Sequence, residues 1–358
     1  MLPVAVLALG AVAGAVMLAN SAASVQRAPA KRGPGAKFYG IGLSSPPSDQ
    51  DFARMARGGV RFVRFTMDWR TIQPTASSPY NWAEIDADVG GAARHGITAF
   101  GTFFAVPPWI SPSFIRAPVF SAGARDAWRA FLTAAVQRYG PHGQFWQANN
   151  GVIPYHPVRD WQIWNEQNSP DFYGPKPSPR SYKKLLKISR GTIHAVDPGA
   201  RIILGGMFEG NVSHGAILSW RYLSKLYAAG AGRLFEAVGA HPYAPKFAGT
   251  KFQLKKLHKA VKHHHDPIWI DEIGWGSGPR SSSPLNKGPK GQAGFLRRSF
   301  RFATRNRRRL GIQRIIWFPW RDSGRTPPSC VFCGKSGLIA ASGSAKPSWR
   351  AFRHFSSR

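Results

Sequence analysis

Residues 160–166 read DWQIWNE, and residues 267–274 read PIWIDEIG. Each stretch is a short apolar run that ends in or just before a glutamate. A continuous apolar run, as opposed to an alternating one, is typical of a parallel strand that is buried on both faces. The two stretches therefore indicate buried parallel strands that carry an acidic group near the carboxyl end.

Similar apolar runs recur along the chain after residue 36, and an amphipathic helical segment follows each of them. Strand–helix alternation predicts parallel pairing with right-handed crossovers. Eight such units predict a closed (β/α)8 TIM barrel in a single domain, 37–358. An open doubly wound sheet is the alternative, although GLSSPPSD after the first strand lacks the usual glycine-rich phosphate loop. The predicted strands are 37–44, 60–69, 97–109, 160–166, 200–207, 235–243, 267–274 and 314–320.

The N-terminal segment 1–24, MLPVAVLALGAVAGAVMLANSAAS, is apolar and ends in small residues. This composition predicts a secretory signal peptide. An uncleaved anchor is the alternative, because the run is long enough to enter a membrane. Residues 25–36 are predicted to be a linker. We therefore expect a secreted or cell-surface protein with no further transmembrane segment.

The chain is strongly basic, with 49 Lys+Arg against 17 Asp+Glu and a formal net charge of +32. Such an excess attracts polyanions, so an anionic cell-wall or glycan polymer is an expected partner. The densest basic run, 297–309, has helical spacing that predicts Phe295, Ser299 and Phe302 on the inner side and arginines on the outer side. No nucleic-acid-binding motif accompanies it, so we expect no specific nucleic-acid partner.

The two cysteines, Cys330 and Cys333, lie in the loop sequence RTPPSCVFCGKSG. A metal site would need two further ligands, and none lies nearby at the spacing of a zinc finger. In an exported protein such a pair is expected to form a small loop disulfide.

Glu166 and Glu272 are the residues on which the functional prediction rests. In a (β/α)8 barrel the chemistry takes place at the carboxyl ends of the strands, so both side chains are expected in one mouth. Two carboxylates in an aromatic-lined cleft favour glycoside hydrolysis, provided that their surroundings separate their pKa values. Arg64 on strand 2 and Tyr243 on strand 6 are expected to hold one carboxylate ionised.

The remaining acidic residues serve as comparisons. Glu209 follows strand 5 and is interpreted as a bystander or a substrate contact, and Asp322 after strand 8 as a substrate contact. Glu84 and Glu236 are expected to lie outside the mouth. The insertion 141–159 before strand 4 is expected to shape one end of the cleft.

The pair Asn165–Glu166 and the later Glu272 resemble the signature of the retaining glycoside hydrolases of clan A. VRFVRFTMDWRTIQP (60–74), HPY (241–243) and IIWFPW (315–320) resemble the same family at strands 2, 6 and 8. The resemblance covers nearly all of the chain after the linker. It is nearest to family 39-like and family 5-like members among exported bacterial proteins.

The resemblance implies that Glu166 is the general acid/base and Glu272 the nucleophile of a double-displacement reaction on a carbohydrate, with carboxyl groups roughly 5–5.5 Å apart. It implies no cofactor and no metal. For Trp69 and Trp109, two of the implied substrate-binding residues, packing in the core or at the rim is the alternative. The implied substrate-binding residues are Asn165 at the sugar 2-hydroxyl, Arg64 and Tyr243 at the nucleophile, His241 on the floor, Trp317 under the first sugar, and Trp69 and Trp109 under further sugars.

A non-catalytic carbohydrate- or cell-wall-binding barrel is the rival function. A barrel without catalysis would be free to lose one of the residues of the predicted reaction, and none of them is missing. These residues are Glu166, Glu272, Asn165, Arg64 and Tyr243. The enzyme is therefore the favoured hypothesis.

Overall fold

The structure, a computed structural model, describes residues 34–35, 37–209, 212–325 and 330–357. The predicted signal or anchor, 1–24, and nearly all of the linker, 25–36, lie outside the described residues. Residues Gly35–Arg358 form one compact unit. Within the part of the chain that is described, no helix has the length and apolar character needed to cross a membrane.

Eight parallel strands close into a barrel in chain order, and the eighth strand is hydrogen-bonded to the first. The predicted (β/α)8 TIM barrel is confirmed, and the open doubly wound sheet is wrong. The strands are β1 (Tyr39–Gly42), β2 (Phe62–Asp68), β3 (Thr98–Phe104), β4 (Asp160–Ile163), β5 (Arg201–Phe208), β6 (Ala237–His241), β7 (Ile268–Ile273) and β8 (Ile312–Trp317).

Helices connect the strands on the outside of the barrel. Two short helices, α2 and α5, were not predicted, because four or five residues are too few to show a helical period. The helices are α1 (Asp49–Arg57), α2 (Trp69–Ile72), α3 (Ala83–Arg94), α4 (Ala122–Tyr139), α5 (Gln144–Ala148), α6 (Pro179–Val196), α7 (Ser219–Ala228), α8 (Phe247–Val261), α9 (Gly288–Leu310) and α10 (Pro347–Ser356).

Side-chain caps explain where several helices begin. Ser48, Ser121 and Ser178 each accept a hydrogen bond from a backbone N–H of the following first turn, which satisfies a donor that the helix itself cannot pair. At the other end of α9, Gly311 has φ +66°, a left-handed conformation that glycine adopts at little cost.

The inside of the barrel changes from apolar to polar towards the mouth. Phe62 stacks on Phe100 at 5.7 Å, and Trp269 packs edge-on against both rings. Residues two positions further along a strand point to the same side, and there β2 carries Arg64 and β7 carries Asp271. An apolar plug therefore supports a buried layer of charged side chains.

The buried face of α9 differs by one position from the predicted face. Ser299 is buried as predicted, but Leu296 and Phe300 form the apolar contact, while Phe295 and Phe302 are only half-buried. The prediction chose Phe295 and Phe302, whereas the helix is rotated so that Leu296, Phe300 and Ala303 face the barrel. The arginines with exposed side chains on the outer face are Arg297, Arg298, Arg301, Arg305, Arg308 and Arg309.

The expectation for the insertion 141–159 is wrong. These residues contain α5 and precede β4, so they lie at the amino end of that strand, and none of them lines the cavity described below. A segment that enters a barrel strand is at the end opposite the mouth.

Candidate active site

A cavity of about 1080 Å³ lies at the carboxyl ends of the strands. Its wall includes Arg64 on β2, Glu166 after β4, Tyr243 after β6 and Glu272 on β7. Pockets for small ligands usually hold roughly 300–1,000 Å³, so this cavity has room for a ligand larger than one sugar unit. Asn165 lines the cavity as well, so the structure brings five of the predicted catalytic and substrate-binding residues together at one mouth.

The backbone after β4 directs Glu166 into the cavity. Trp164 has φ +70° and Glu166 has φ +47°, a left-handed conformation that costs energy for residues other than glycine and is concentrated at functional sites. The Glu166 N–H donates to the Gly206 carbonyl at 2.9 Å, and the Trp164 indole N–H donates to the Phe172 carbonyl at 2.7 Å. These bonds hold the strained turn in place.

Glu166 and Glu272 face each other across the cavity floor. One ligand oxygen of each carboxylate lies within 4.8 Å of the other, and both residues are buried. Regular strand geometry would point Glu272 away from its neighbour Asp271. The β7–β8 register shifts between Ile270 and Ile273, and such irregularities re-aim side chains. Both acids of β7 therefore reach the interior of the barrel.

Arg64 connects three residues of the site. Its Nη1 donates to Glu272 Oε1 at 2.6 Å, its Nη2 to Asn165 Oδ1 at 2.9 Å, and its Nε to Gln162 Oε1 at 2.9 Å. A charge-assisted hydrogen bond is shorter and stronger than one between neutral groups. Arg64 thus orients Glu272 and Asn165 with one rigid group.

His241 lies between two carboxyl groups with no exposed surface of its own. Its Nδ1 is 2.7 Å from Glu166 Oε1, and its Nε2 is 3.3 Å from Asp271 Oδ2. Burial lowers the pKa of His241, but the charges of Glu272 and Asp271 outweigh burial and raise it to about 10. At neutral pH the ring is cationic, so each of its two nitrogen atoms donates a hydrogen bond to the neighbouring carboxyl group.

The carboxyl groups of Glu166 and Glu272 have different surroundings, which suit them to different roles. Burial raises the pKa of Glu166, against the opposing effect of the hydrogen bond from His241. Glu272 instead accepts from Arg64 and from the Tyr243 hydroxyl, the latter at 3.2 Å. Burial also raises the pKa of Tyr243 well above its ordinary value, so its hydroxyl remains a donor. The carboxyl group with the raised pKa is the one suited to deliver a proton.

Three important residues were not predicted. Asp271 accepts from the Ala240 N–H at 2.6 Å and from Gln162 Nε2 at 2.5 Å. A Cβ at Gly206 would overlap the His241 ring, so only glycine allows the ring to lie there. A signal existed for Asp271 and Gln162, since each is a polar residue inside an apolar strand. The need for Gly206 depends on a contact with a distant strand and leaves no local pattern.

The three predicted tryptophan platforms are not in the cavity. Trp317 is fully buried, and its indole N–H donates to the Ser336 carbonyl at 2.9 Å. Trp69 is fully buried and stacks on Phe131 at 5.0 Å. Trp109 is half-buried and packs edge-on against Trp69. The alternative of core or rim packing is therefore the correct one for Trp69 and Trp109, and Trp317 is also a core residue.

Phenylalanines occupy the aromatic positions of the wall instead. No tryptophan is found among the residues 34–35, 37–209, 212–325 and 330–357 that line the cavity. Phe318, the neighbour of Trp317, takes the position on β8 that was predicted for the tryptophan. The lining phenylalanines are Phe104, Phe114, Phe172, Phe208, Phe318 and Phe332.

The predicted disulfide between Cys330 and Cys333 is confirmed. Both cysteines and the two residues between them form part of the cavity wall. The disulfide therefore fixes a loop that contacts whatever occupies the cavity.

Most of the other acidic residues lie where they cannot reach the two central carboxylates. Glu209 accepts from the Ser219 N–H at 3.0 Å, Asp322 pairs with Lys346, and Glu236 pairs with Arg190. None of the three lines the cavity, so a substrate contact is not supported for Glu209 or Asp322. Glu84 does line the cavity, and its predicted place outside the mouth is wrong, because it belongs to the first turn of α3.

The oxygen and nitrogen atoms of Glu166, His241 and Glu272 could in principle surround a metal ion, since they lie within 4.8 Å of one another. The charges argue against this use. His241 is cationic at neutral pH, whereas a metal-bound imidazole must be neutral, and Arg64 already neutralises Glu272. The cluster suits proton transfer better than metal binding.

No protein-family model matches the chain, and no curated protein matches it. Solved structures do resemble it. A family 39 glycoside hydrolase from Bacteroides cellulosilyticus has a TM-score of 0.66 and 20% identity. A monomeric β-xylosidase from Caulobacter crescentus has 0.63 and 18%, and a GH5_18 from Bifidobacterium longum subsp. infantis has 0.65 and 15%.

The alignments cover 90% of this chain in all three cases and 64%, 69% and 78% of the respective structures. The likeness is one of fold. The structural neighbours of this barrel are glycoside hydrolases of families 39 and 5, which agrees with the resemblance found in the sequence motifs.

Proposed function

We propose that the protein is a retaining glycoside hydrolase that cleaves O-glycosidic bonds of an oligosaccharide or polysaccharide. The observation that carries the proposal is the facing pair Glu166 and Glu272, with carboxylate oxygens within 4.8 Å of each other. Retaining enzymes hold their carboxyl groups roughly 5–5.5 Å apart, and inverting enzymes roughly 6.5–9.5 Å. The short distance between these oxygen atoms supports a retaining over an inverting reaction.

The hydrogen bonds support one assignment of roles. In the first step Glu272 attacks the anomeric carbon while Glu166 protonates the leaving oxygen, and the glycosidic bond breaks as the glycosyl-enzyme bond forms. Glu166 then removes a proton from water, and the resulting attack releases Glu272. Arg64 and Tyr243 keep Glu272 oriented, and His241 orients Glu166 by donating a hydrogen bond to its Oε1.

Asn165 is placed to contribute to substrate binding. Arg64 holds its side-chain oxygen at 2.9 Å, which orients the amide next to Glu166. A contact to the sugar 2-hydroxyl that strengthens in the transition state supplies part of the rate acceleration in this class of reaction.

The test is a screen of aryl glycosides and polysaccharides with wild type, Glu166→Ala and Glu272→Ala, with and without azide. Loss of turnover in both variants, partly restored by azide, is the expected result. For a β-specific enzyme, NMR should show a β-glycosyl azide with Glu166→Ala and an α-glycosyl azide with Glu272→Ala. Wild-type rates in both variants would refute the assignment.

Glu209→Gln provides a matched control, because Glu209 also follows a strand yet does not line the cavity. It should retain activity within about twofold, as expected for a residue that does not contact the reacting groups. Binding of a carbohydrate by wild type without any turnover would instead support the non-catalytic barrel.

A basic surface supports a further part of the proposal, namely contact with an anionic cell-wall or glycan polymer. The exposed arginines of α9, Arg297, Arg298, Arg301, Arg305, Arg308 and Arg309, present charge on one helix face. Retention on an anionic polysaccharide column that falls when Arg301 and Arg305 become glutamine would support this contact. Unchanged retention would refute it.

We also propose that the protein is exported, either as a secreted or as a cell-surface protein, on the basis of the apolar segment 1–24. Mass spectrometry of the mature N-terminus distinguishes the two forms. Loss of about 24 residues supports a cleaved signal, an intact N-terminus in a membrane fraction supports an anchor, and an intact N-terminus in the cytosol refutes export.

A further inference from the structure

The acidic residues of this chain almost all have partners. All but two of the 17 Asp and Glu residues use their carboxylates in a hydrogen bond or ion pair within the described residues. The exceptions are Glu84 and Asp88. In a chain with 49 Lys+Arg, a carboxylate with neither a hydrogen bond nor an ion pair is unusual.

Both exceptions belong to α3 and both line the cavity. They are four residues apart, which places them on the same face of the helix roughly 5–6 Å apart between Cβ atoms. Asp86 lies on the same helix and shows the contrast: Arg138 donates to it at 2.9 Å and the Tyr139 hydroxyl at 2.7 Å. The helix therefore pairs the acid that contacts α4 and leaves the two that line the cavity unpaired.

Asp88 is the stronger observation of the two. It is only 5% exposed, and its Oδ1 has no hydrogen-bond partner among the described atoms. An unpartnered buried polar group destabilises the folded state, a charged one more so, and is rare in folded proteins. Burial, together with the neighbouring charge of Glu84, raises the pKa of Asp88 to about 8. A cation in the adjacent space would supply the missing partner and favour the ionised form of Asp88.

We propose that Glu84 and Asp88 form a subsite for a positively charged amino group on the carbohydrate, so that the cavity accepts a glycan containing a free amino sugar. This inference rests on the proposed function, because only a glycan-binding cavity makes an amino sugar the natural source of the charge. An ammonium group has three N–H donors and no acceptor, which matches two carboxylates that lack donors.

An inorganic cation fits the subsite less well. Calcium takes six to eight oxygen ligands, and the described acids near Asp88 on this wall amount to two carboxylates, one of them on an exposed side chain. The net charge of +32 does not prevent the binding of one ammonium group. At 0.15 M salt the field of distant charges is screened beyond about 8 Å, so the adjacent carboxylates dominate.

The test uses thio-linked tetramers, which resist hydrolysis: a β-1,4-linked glucosamine tetramer and its N-acetylated counterpart. Their Kd values are compared by calorimetry at pH 6.5 and 0.15 M salt. Hydrogen bonds to charged groups contribute roughly 1.5–3 kcal/mol, so wild type should bind the amino probe about tenfold to a hundredfold more tightly. Asp88→Asn should reduce this preference to about twofold, and Glu84→Gln should reduce it in part.

Asp126→Asn is the matched control, since it removes the same charge from a helix outside the cavity. It should leave the preference unchanged. A second measurement concerns wild type alone. Binding of the amino probe ionises Asp88, so calorimetry in two buffers of different ionisation enthalpy should detect a released proton at pH 6.5.

The outcomes separate the two proposals. Equal affinity of wild type for both probes, or no proton release, overturns the ammonium subsite even if neutral aryl glycosides are hydrolysed. An amino preference that depends on Asp88 upholds the subsite even if no glycoside is hydrolysed. Calcium binding that requires Asp88 and excludes the amino probe would replace the ammonium with a metal ion.

Discussion

Replacement of Asp88 by asparagine should change how the stability of the protein depends on pH. The folded protein keeps a proton on Asp88 up to about pH 8, whereas an unfolded aspartate releases its proton near pH 3.9. Between these values the unfolded state binds fewer protons than the folded state. Each pH unit in that window then costs wild type ~1.4 kcal/mol of folding free energy from this one group.

From pH 5 to pH 8 the loss amounts to roughly 4 kcal/mol. An asparagine side chain has nearly the same shape as an aspartate and no proton to lose in this range, so Asp88→Asn lacks this contribution. The assay is urea denaturation of wild type and Asp88→Asn at pH 5, 6, 7 and 8. The stability advantage of the variant should grow steadily over this range, because all other titrating groups are shared by the two proteins.

Asp126→Asn serves as the control, with a difference from wild type that stays nearly constant with pH. A constant difference for Asp88→Asn as well would contradict the reasoning, because it would mean that Asp88 is already ionised at pH 5 in the folded protein.

Three further changes test the central network. Gly206→Ala should lower kcat by at least about a hundredfold and lower Tm, because the new methyl group overlaps the ring of His241; normal kcat would show that the ring can move aside. Asp271→Asn removes one of the charges that raise the pKa of His241 to about 10, so an NMR titration of the His241 ring should give a lower pKa than in wild type, and an unchanged pKa would contradict the coupling. Arg64→Lys should lower kcat about a hundredfold with a smaller change in KM, since a lysine cannot make the same three hydrogen bonds; a change confined to KM would show that Arg64 binds substrate without orienting Glu272.

The eight strands could be predicted because a strand buried on both faces has a continuous apolar sequence. The structure confirms all eight strands. The same property hides the direction of side chains at strand ends. The run IIWFPW contains both Trp317 and Phe318, and an apolar run has no alternation that shows which ring faces the mouth. The prediction selected the tryptophan, and the phenylalanine lines the cavity.

The central carboxylates could be located because an acid at the end of an apolar strand stands out. The supporting groups depend on contacts between distant strands. Gln162, Asp271 and His241 come from three different strands and meet only after the barrel closes. Glu84 was placed outside the mouth because a helical acid is ordinarily solvated, whereas the first turn of α3 faces the cavity.

The closure of the barrel between β1 and β8 has a consequence for folding during translation. Gly40 pairs with Ile316, and the Ser356 hydroxyl in α10 donates to the Gly58 carbonyl. Contacts between such distant positions form slowly, because a long loop must close first. During synthesis β1 cannot pair with β8 until the last strand has emerged from the ribosome. Glu166 and Glu272 cannot come together before β7 has emerged. The nascent polypeptide consequently has no complete active site until most of it has been synthesised.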